Sequence, residues 1–533
     1  MVGVRKGTGH PLLYSGICIL ALWGLASGNP SAYSAPPVLA FEELLRLAET
    51  AAPNGDLGLR LRRLLHTPFV SNEAWNSGAR PHRPVRPGSG PVLRAVQWNI
   101  AGGRQFDLIR RVFTDPASFQ TELAQAEKAG VEAVPAIREQ LQLLQGADVV
   151  ILNEADLGMG RSGYRDVARE LAQALKMNYV FGVEFVEVDR LELGLAVPEL
   201  DGVLKAELAN QLEVDPARYK GLHGSAILSR YPIQSARIHR LVACYDWYGT
   251  EKKEIAELEK GRRLAAREVF LERIARELRH GNRIALIAEI AVPESPTGFL
   301  TVVAAQLEGR SPPKCRRAQM ADLLLTLAGD ANPVILGGDL NTTGLSAAPT
   351  SVWLEINKRL SNPDFWIRQA VFRFAIPTAI AEAVLLPTNC VKNLHDPTVR
   401  DIPLFASNPE SGLFRALERF RFRDGYAFDF RGEKTLANSN ERGIKGFKPT
   451  FEFARDYGGL IGTYKLDWFL VKPFIRRPRE RNGSRYFAPV YARTLAELNR
   501  SIAQQRISDH DPIMVDLQLT PDRVLSTPYR RSE

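Results

Sequence analysis

Pro333-Val-Ile-Leu-Gly-Gly-Asp-Leu-Asn-Thr-Thr343 opens with an apolar run too short for a helix, bounded by a proline and a glycine pair. It therefore predicts a buried strand whose end another group can approach closely. Residues two apart on a strand share a face, so Asp339 and Asn341 are expected to point together at whatever lies above the strand end. Gly-Asp-x-Asn also fits an ordinary strand exit held by Asx hydrogen bonds, so its meaning depends on companions elsewhere.

Three more segments follow the same plan. Val92 to Ile100 reads as a strand that leaves Asn99 at its end, and Asp148-Val-Val-Ile-Leu-Asn-Glu154 is an apolar run ending in a carboxylate. Lys465-Leu-Asp-Trp-Phe-Leu-Val471 is a buried strand carrying Asp467, a charge that is costly unless paired. Arg506-Ile-Ser-Asp-His-Asp-Pro512, just before a final strand at Ile513 to Leu517, supplies Asp509 and His510, and His510 is the expected partner.

The chain has 533 residues, 45% hydrophobic and 24% charged, with formal net charge +9. That excludes a disordered chain and modestly favours anionic partners, although a mixed-charge solvated surface is the more ordinary explanation. Residues 1–35 resemble an export signal: Arg5 and Lys6 precede the apolar stretch Leu12 to Ser27, followed by small residues. The segment could also serve as an uncleaved anchor. Cys18 lies within it, and Cys244, Cys315 and Cys390 form neither a metal spacing nor a disulfide-rich pattern.

In order, two short amphipathic helices are expected at Phe41 to Thr50 and Leu57 to Leu65, then a Pro/Arg-rich linker with a domain boundary near residue 91. One helix is expected over Phe119 to Leu144 and another over Tyr164 to Leu175. A strand at Gly221 to Ile233, a charged helical segment at 251–280 and a hairpin of Ile284 to Val292 with Phe299 to Ala305 come next. A basic loop, Arg310 to Arg317, leads into a helix at Gln319 to Leu327. The plan is an export segment (1–35), a helical extension and linker (36–90), a main domain (91–520) with insertions near 187–220, 250–280 and 345–460, and a tail (521–533).

The ordered series Trp98-Asn99-Ile100, Asn153-Glu154, Gly224 to Arg230, Arg316-x-x-Gln319, Gly337-Gly-Asp-Leu-Asn341, Leu466-Asp-Trp468 and Ser508-Asp-His-Asp-Pro512 resembles the endonuclease/exonuclease/phosphatase superfamily. The resemblance covers about residues 92–517 and is most specific at Gly-Asp-Leu-Asn and Ser-Asp-His-x-Pro. It implies an α+β fold, a four-layer α-β-β-α sandwich of two mixed sheets with a site at one edge, and hydrolysis of phosphoester bonds with Mg²⁺ or Mn²⁺. Carried over motif by motif, Glu154 would be the principal metal ligand with Asn99 and Asp509 nearby. Asp339 would orient or deprotonate the attacking water, Asn341 would hold a phosphate oxygen, and His510, polarised by Asp467, would bond the phosphoryl group. Oxygen ligands suit a hard divalent ion, which offsets phosphate charge.

One departure is Gln306, which stands where many members of that superfamily carry a second histidine. It can donate a hydrogen bond but carries no titrating proton. A catalytically weakened binding module with the same fold is therefore the competing reading. Nucleic acid as partner would be favoured if Arg476 to Arg481 together with Lys314, Arg316 and Arg317 lined the groove, whereas a membrane surface would meet the aromatic-rich segment near 428–452. Oligomeric state is not readable from these patterns.

Overall fold

The computed structural model describes residues 38–189 except 129, together with 193, 214–254, 278–342, 396–398, 408–431, 439–443, 446–452, 463–475, 485–501 and 506–519. The expected export segment, the tail, most of the three insertions and the basic stretch 476–481 lie outside the described residues.

Two mixed sheets form the centre. The larger contains β1 (Phe69–Ser71), β2 (Val85–Arg86), β3 (Gly90–Gly102), β4 (Val149–Leu157), β5 (Asn178–Glu187), β6 (Leu222–Ser229), β8 (Arg279–Gly281), β19 (Pro489–Thr494) and β20 (Ile513–Gln518). Its main path runs β1-β5-β6-β4-β3-β20-β19, with β2 on β3 and β8 on β5. The smaller sheet runs β16 (Asp467–Lys472), β11 (Val334–Asp339), β10 (Phe299–Gln306), β9 (Ile284–Ala291), β7 (Ile233–Arg240). β3 pairs with β4, and β10 with β11, in parallel; the other pairings in both sheets are antiparallel. Three two-stranded ladders complete the described strands: β12 (Arg442–Gly443) with β13 (Gly446–Phe447), β14 (Phe451–Glu452) with β15 (Thr463–Tyr464), and β17 (Phe474–Ile475) with β18 (Arg485–Tyr486).

Strand alternation sorts the residues into layers. On β4, Val149 and Ile151 enter the core between the sheets, together with Ile335 and Phe469 from the smaller sheet. Val150 and Leu152 face the opposite way, into a core shared with α1 (Phe41–Glu49), α2 (Gly55–His66), α4 (Phe106–Thr114), α6 (Val134–Gln145) and α7 (Val167–Leu175). Likewise Val334 and Leu336 turn outward to α9 (Pro313–Leu327) and α10 (Ser411–Arg419). The layers are therefore helix, sheet, sheet, helix, because each sheet has two apolar faces to cover. Gly337 lets the two sheets meet, and Gly338 lets β11 lie close to its neighbour β10 within its own sheet. A Cβ on Gly337 would come within 2.8 Å of Ile151 Cδ1 on the opposite sheet, and one on Gly338 within 1.8 Å of the Ala305 carbonyl oxygen on β10.

Several expectations change. Residues 38–90 are no appendage: Leu44, Leu61 and Phe69 belong to the same core as Trp98, and β1 pairs with β5, so residue 91 marks no break in packing. The single helix expected over 119–144 is two, α5 (Pro116–Lys128) and α6, because Gly130 at φ +79° cannot continue the turn. The helix at 164–175 begins at Val167, after Tyr164 at φ +60° and under an Asp166 cap that accepts from the Arg169 N–H. The basic loop ending at Arg317 is shorter than expected, since α9 starts at Pro313, a residue suited to the first helical turn. Cys244 and Cys315 form a disulfide with Cα atoms 5.9 Å apart, which spacing alone did not reveal.

Candidate active site

Strand parity decides which side chains meet. Gln97 and Asn99 on β3, Asn153 on β4, Gln306 on β10, Asp339 on β11 and Asp467 on β16 share the parity of their strands' inter-sheet apolar residues, and all are buried. They cluster at one edge because β11 pairs Asp339 with Asp467 on one side and with Gln306 on the other.

Glu154 reaches the same place by a different route. The β3–β4 register shifts between Asn99 and Gly102, the β4–β6 register between Leu152 and Ala155, and the β5–β6 register between Val183 and Phe185. Bulges on adjacent strands re-aim side chains. Glu154 and Ala101 adopt φ +54° and +50°, and Asn341 φ +50°, left-handed conformations that cost non-glycine residues roughly 1–2 kcal/mol each. Asn341 consequently reaches the pocket from beyond the strand end rather than by the two-residue alternation expected for it.

Glu154 and Asp339 face one another across two amides. Asn99 Nδ2 donates to Glu154 Oε1 at 3.0 Å and Asp339 Oδ2 at 3.3 Å, and Gln306 Nε2 donates to the same two atoms at 3.0 and 3.4 Å. Asn99 Oδ1 meanwhile accepts from the Ala101 N–H, so nitrogen rather than oxygen faces the carboxylates. Asn341 supports Asp339, donating from its backbone N–H to Oδ1 at 2.9 Å, while its Nδ2 donates to the Leu307 carbonyl at 2.9 Å and to Asp339 Oδ2 at 3.3 Å.

His510 Nδ1 lies 2.7 Å from Asp467 Oδ2, and its Nε2 lies 3.9 Å from Asp339 Oδ2. Burial opposes the imidazolium, but the Asp467 and Asp339 carboxylates outweigh it and push His510 up to about 9. Burial pushes Asp339 up to about 6, with the His510 charge pulling the other way and Asp467 and Glu154 adding to the rise. The loop bearing His510 is held by Trp98 and Ser508 from the sequence motifs and by Asn499, which no motif revealed. Asn499 Nδ2 donates to the Ser508 and His510 carbonyls, Trp98 Nε1 also donates to the His510 carbonyl, and Ser508 Oγ donates to the Asn99 carbonyl at 2.7 Å. Gln97 Nε2 donates to Asp467 Oδ1 at 3.0 Å and orients that carboxylate.

Two sets of groups could hold a cation. Ligand atoms of Asp339, Asp467 and His510 lie within 4.8 Å of one another. However, His510 spends Nδ1 on Asp467 and is held protonated, and an imidazolium is no ligand. The facing carboxylates of Glu154 and Asp339 are the better fit for a hard divalent ion. Asp509 is half-buried, with Oδ1 3.4 Å from Ser508 Oγ, and it does not line the pocket that contains Glu154 and Asp339.

Gln306 does more than present a donor. Its Oε1 accepts from Arg283 at 2.6 Å, and Arg283 belongs to an arginine wall lining the same pocket with Arg104, Arg161, Arg279 and Arg310. Of the basic residues considered from sequence, Arg476 to Arg481 lie outside the described residues and the others are not in this lining. Arg316 is fully buried and pairs with Glu410, while Lys314 and Arg317 are exposed on α9 outside the pocket lining. Arg310 opens the basic loop noted in the sequence, but nothing local ties it to Arg104, Arg161, Arg279 or Arg283, which come from other segments.

The Endonuclease/Exonuclease/phosphatase family model matches residues 96–528 of this chain. No curated protein matches it. Among solved structures it is similar to an endonuclease/exonuclease/phosphatase from Beutenbergia cavernae DSM 12333, at 14% identity over 80% of this chain and 71% of that one, with TM-score 0.37. A 3′-5′ exonuclease from Neisseria meningitidis gives 12% over 80% and 100% with TM-score 0.36, and the human Nocturnin catalytic domain with bound sulfate gives 13% over 80% and 93% with TM-score 0.35.

Proposed function

The chain belongs to the endonuclease/exonuclease/phosphatase family, and from that premise we propose that it is a divalent-metal-dependent hydrolase of phosphoester bonds. The observation that carries this reading is the convergence, at one sheet edge, of two facing carboxylates and a buried Asp467–His510 pair.

In this reading Asp339 orients the attacking water and takes its proton. A carboxylate raised to about 6 is largely ionised at pH 7 yet more basic than an exposed one. His510, protonated below about 9 and tethered through Nδ1, presents Nε2–H to a phosphoryl oxygen and stabilises the negative charge of the pentavalent transition state. Glu154 would be the main ligand of Mg²⁺ or Mn²⁺ beside Asp339, with Asn99 serving once its amide is turned and Asp509 as an outlying acid. Such an ion would offset phosphate charge and acidify bound water. Asn341 positions Asp339 and is close enough to serve a phosphate oxygen as well.

Export is part of the proposal. The segment before residue 36 has the pattern of a signal, and the Cys244–Cys315 disulfide suits an oxidising compartment. Among the described residues no helix is long and apolar enough to cross a membrane.

The test is a screen of purified protein with Mg²⁺ or Mn²⁺, and with chelator, against plasmid DNA, RNA, sphingomyelin, inositol phosphates and bis(4-nitrophenyl) phosphate. Turnover of at least one, abolished by chelator and by Asp339→Asn, is expected. Absence of turnover on all of them, or turnover indifferent to chelator, overturns the reading.

A further inference from the structure

Three of the wall arginines form a stacked ladder with aromatic rings. The Arg283 guanidinium lies 5.2 Å from the Phe185 ring centroid, Arg279 lies 5.2 Å from Phe185 and 4.5 Å from Trp247, and Arg310 lies 5.3 Å from Trp247. Phe185 is fully buried and Trp247, which also borders the pocket, nearly so, and both rings support the arginines. A guanidinium stacked on its flat face keeps its N–H groups in the plane, the geometry that grips a phosphate through two oxygens.

Some of the compensating acids lie away from the pocket and others line it. Arg283 pairs with Glu184 at 2.9 Å, Arg279 with Glu187 at 3.5 Å and Arg310 with Glu251 at 2.8 Å, and none of these three glutamates lines the pocket. The five arginines of the lining outnumber its three carboxylates, Glu154, Glu308 and Asp339, so the cavity keeps a net positive lining on the wall side. Arg283 Nε makes no hydrogen bond, with Glu308 Oε2 3.7 Å away. Burial, together with the Arg161 and Arg283 charges, holds Arg279 below the usual arginine range, a crowding that a bound anion would relieve. Arg161 differs, being committed to Asp156 and Glu187 through short paired contacts. The wall joins the catalytic groups through one amide, since Gln306 bonds Arg283 at one end and Glu154 at the other.

We propose that Arg279, Arg283 and Arg310 form a subsite for a second phosphate group on the substrate, next to the ester that is cleaved. The proposal rests on the phosphoesterase reading and narrows it. Arginines whose side chains are about one-tenth exposed, at 12%, 8% and 11%, admit a single compact anion into a pocket. Duplex nucleic acid instead needs a broad, exposed basic surface. The substrate is thus a small molecule or chain end bearing at least two phosphates, and its scaffold, polyol or nucleoside, is what the experiment separates.

The test compares kcat/KM for inositol 1-phosphate with inositol 1,4-bisphosphate, and for adenosine 3′-monophosphate with adenosine 3′,5′-bisphosphate. In the wild type the bisphosphate of at least one pair is favoured by about tenfold or more, the scale of a charge-assisted hydrogen bond, and the pair that shows it identifies the scaffold. Arg279→Met, which keeps apolar bulk between the rings, brings the ratio near one. Arg279→Lys gives an intermediate ratio, and Arg317→Met, on exposed α9, leaves it unchanged. Equal rates within both pairs, or a preference that survives Arg279→Met, overturns the subsite while the phosphoesterase reading stands. If no ester is turned over, that reading fails. Calorimetry with inorganic pyrophosphate then decides the subsite alone: binding weakened at least tenfold by Arg279→Met supports it, and absent or unchanged binding overturns it.

Discussion

The catalytic floor and the arginine wall line one pocket but are built differently. Asp339, Gln306, Asp467 and Asn99 hold their places through backbone register, each on the inter-sheet face of a strand whose neighbours fix it by ladder hydrogen bonds. Arg279, Arg283 and Arg310 come from a three-residue strand and from loops, and are held by ring stacking and ion pairs. A floor fixed by main chain should be intolerant of chemical change and indifferent to substrate identity. A wall fixed by side chains should set preference and give way more gradually.

The sharpest way to break this contrast is Asp339→Asn. We expect kcat/KM to fall by about 10³-fold, within the range for an acid–base group, on every substrate alike and with unchanged or higher thermal stability, because a buried carboxylate is removed. A loss below tenfold, or one confined to bisphosphates, would move Asp339 out of the floor.

Gln306 belongs to both regions, so its substitution measures how far they are coupled. Gln306→Ala should cost roughly 10–100-fold, the equivalent of a hydrogen bond to a charged group, and should also blur the preference for a second phosphate, because Arg283 loses its tether. Gln306→His places an imidazole between Arg283, which opposes its charge, and Glu154 and Asp339, which favour it, so a further histidine-like limb in the pH–rate profile is expected. An unchanged profile would show that the arginine wall dominates at that position.

The smallest effect is on stability. His510 is raised from 6.5 to about 9 on folding, so its contribution is complete below pH 6.5 and disappears as pH rises through 9. The melting temperature of metal-free wild type minus that of His510→Gln should therefore shrink steadily from pH 6.5 to 10. Lys465, which burial pushes down to about 7, acts in the opposite sense over pH 7–10, so the difference between the proteins is the informative quantity. A constant difference would mean that His510 is not held as an imidazolium.

The sequence alone was enough for the class of fold and for most of the floor. A strand of four or five apolar residues ending in one acid or amide is a local pattern, and Asn99, Glu154 and Asp339 each end such a run, while Asp467 opens one and His510 precedes one; Gln306 was singled out by the family resemblance. Their pairing also followed, because Asp467 in a buried strand needed a partner and the loop before Ile513 offered one.

Only the tertiary structure decided the rest. Glu154 reaches the site through the register shifts of β4 against both of its neighbours, and such shifts are set by pairing between strands rather than by one strand's residues. Asn99 turns its nitrogen inward because the Ala101 N–H takes its oxygen. Residues 38–90, separated by a proline-rich linker, join the core because the larger sheet needs its outer face covered. The Cys244–Cys315 link and the arginine wall join segments far apart in the chain, and an isolated arginine has the same local appearance whether it faces solvent or a phosphate. Its role is fixed by which ring lies under it and which acid stands behind it, and those neighbours are chosen by the fold.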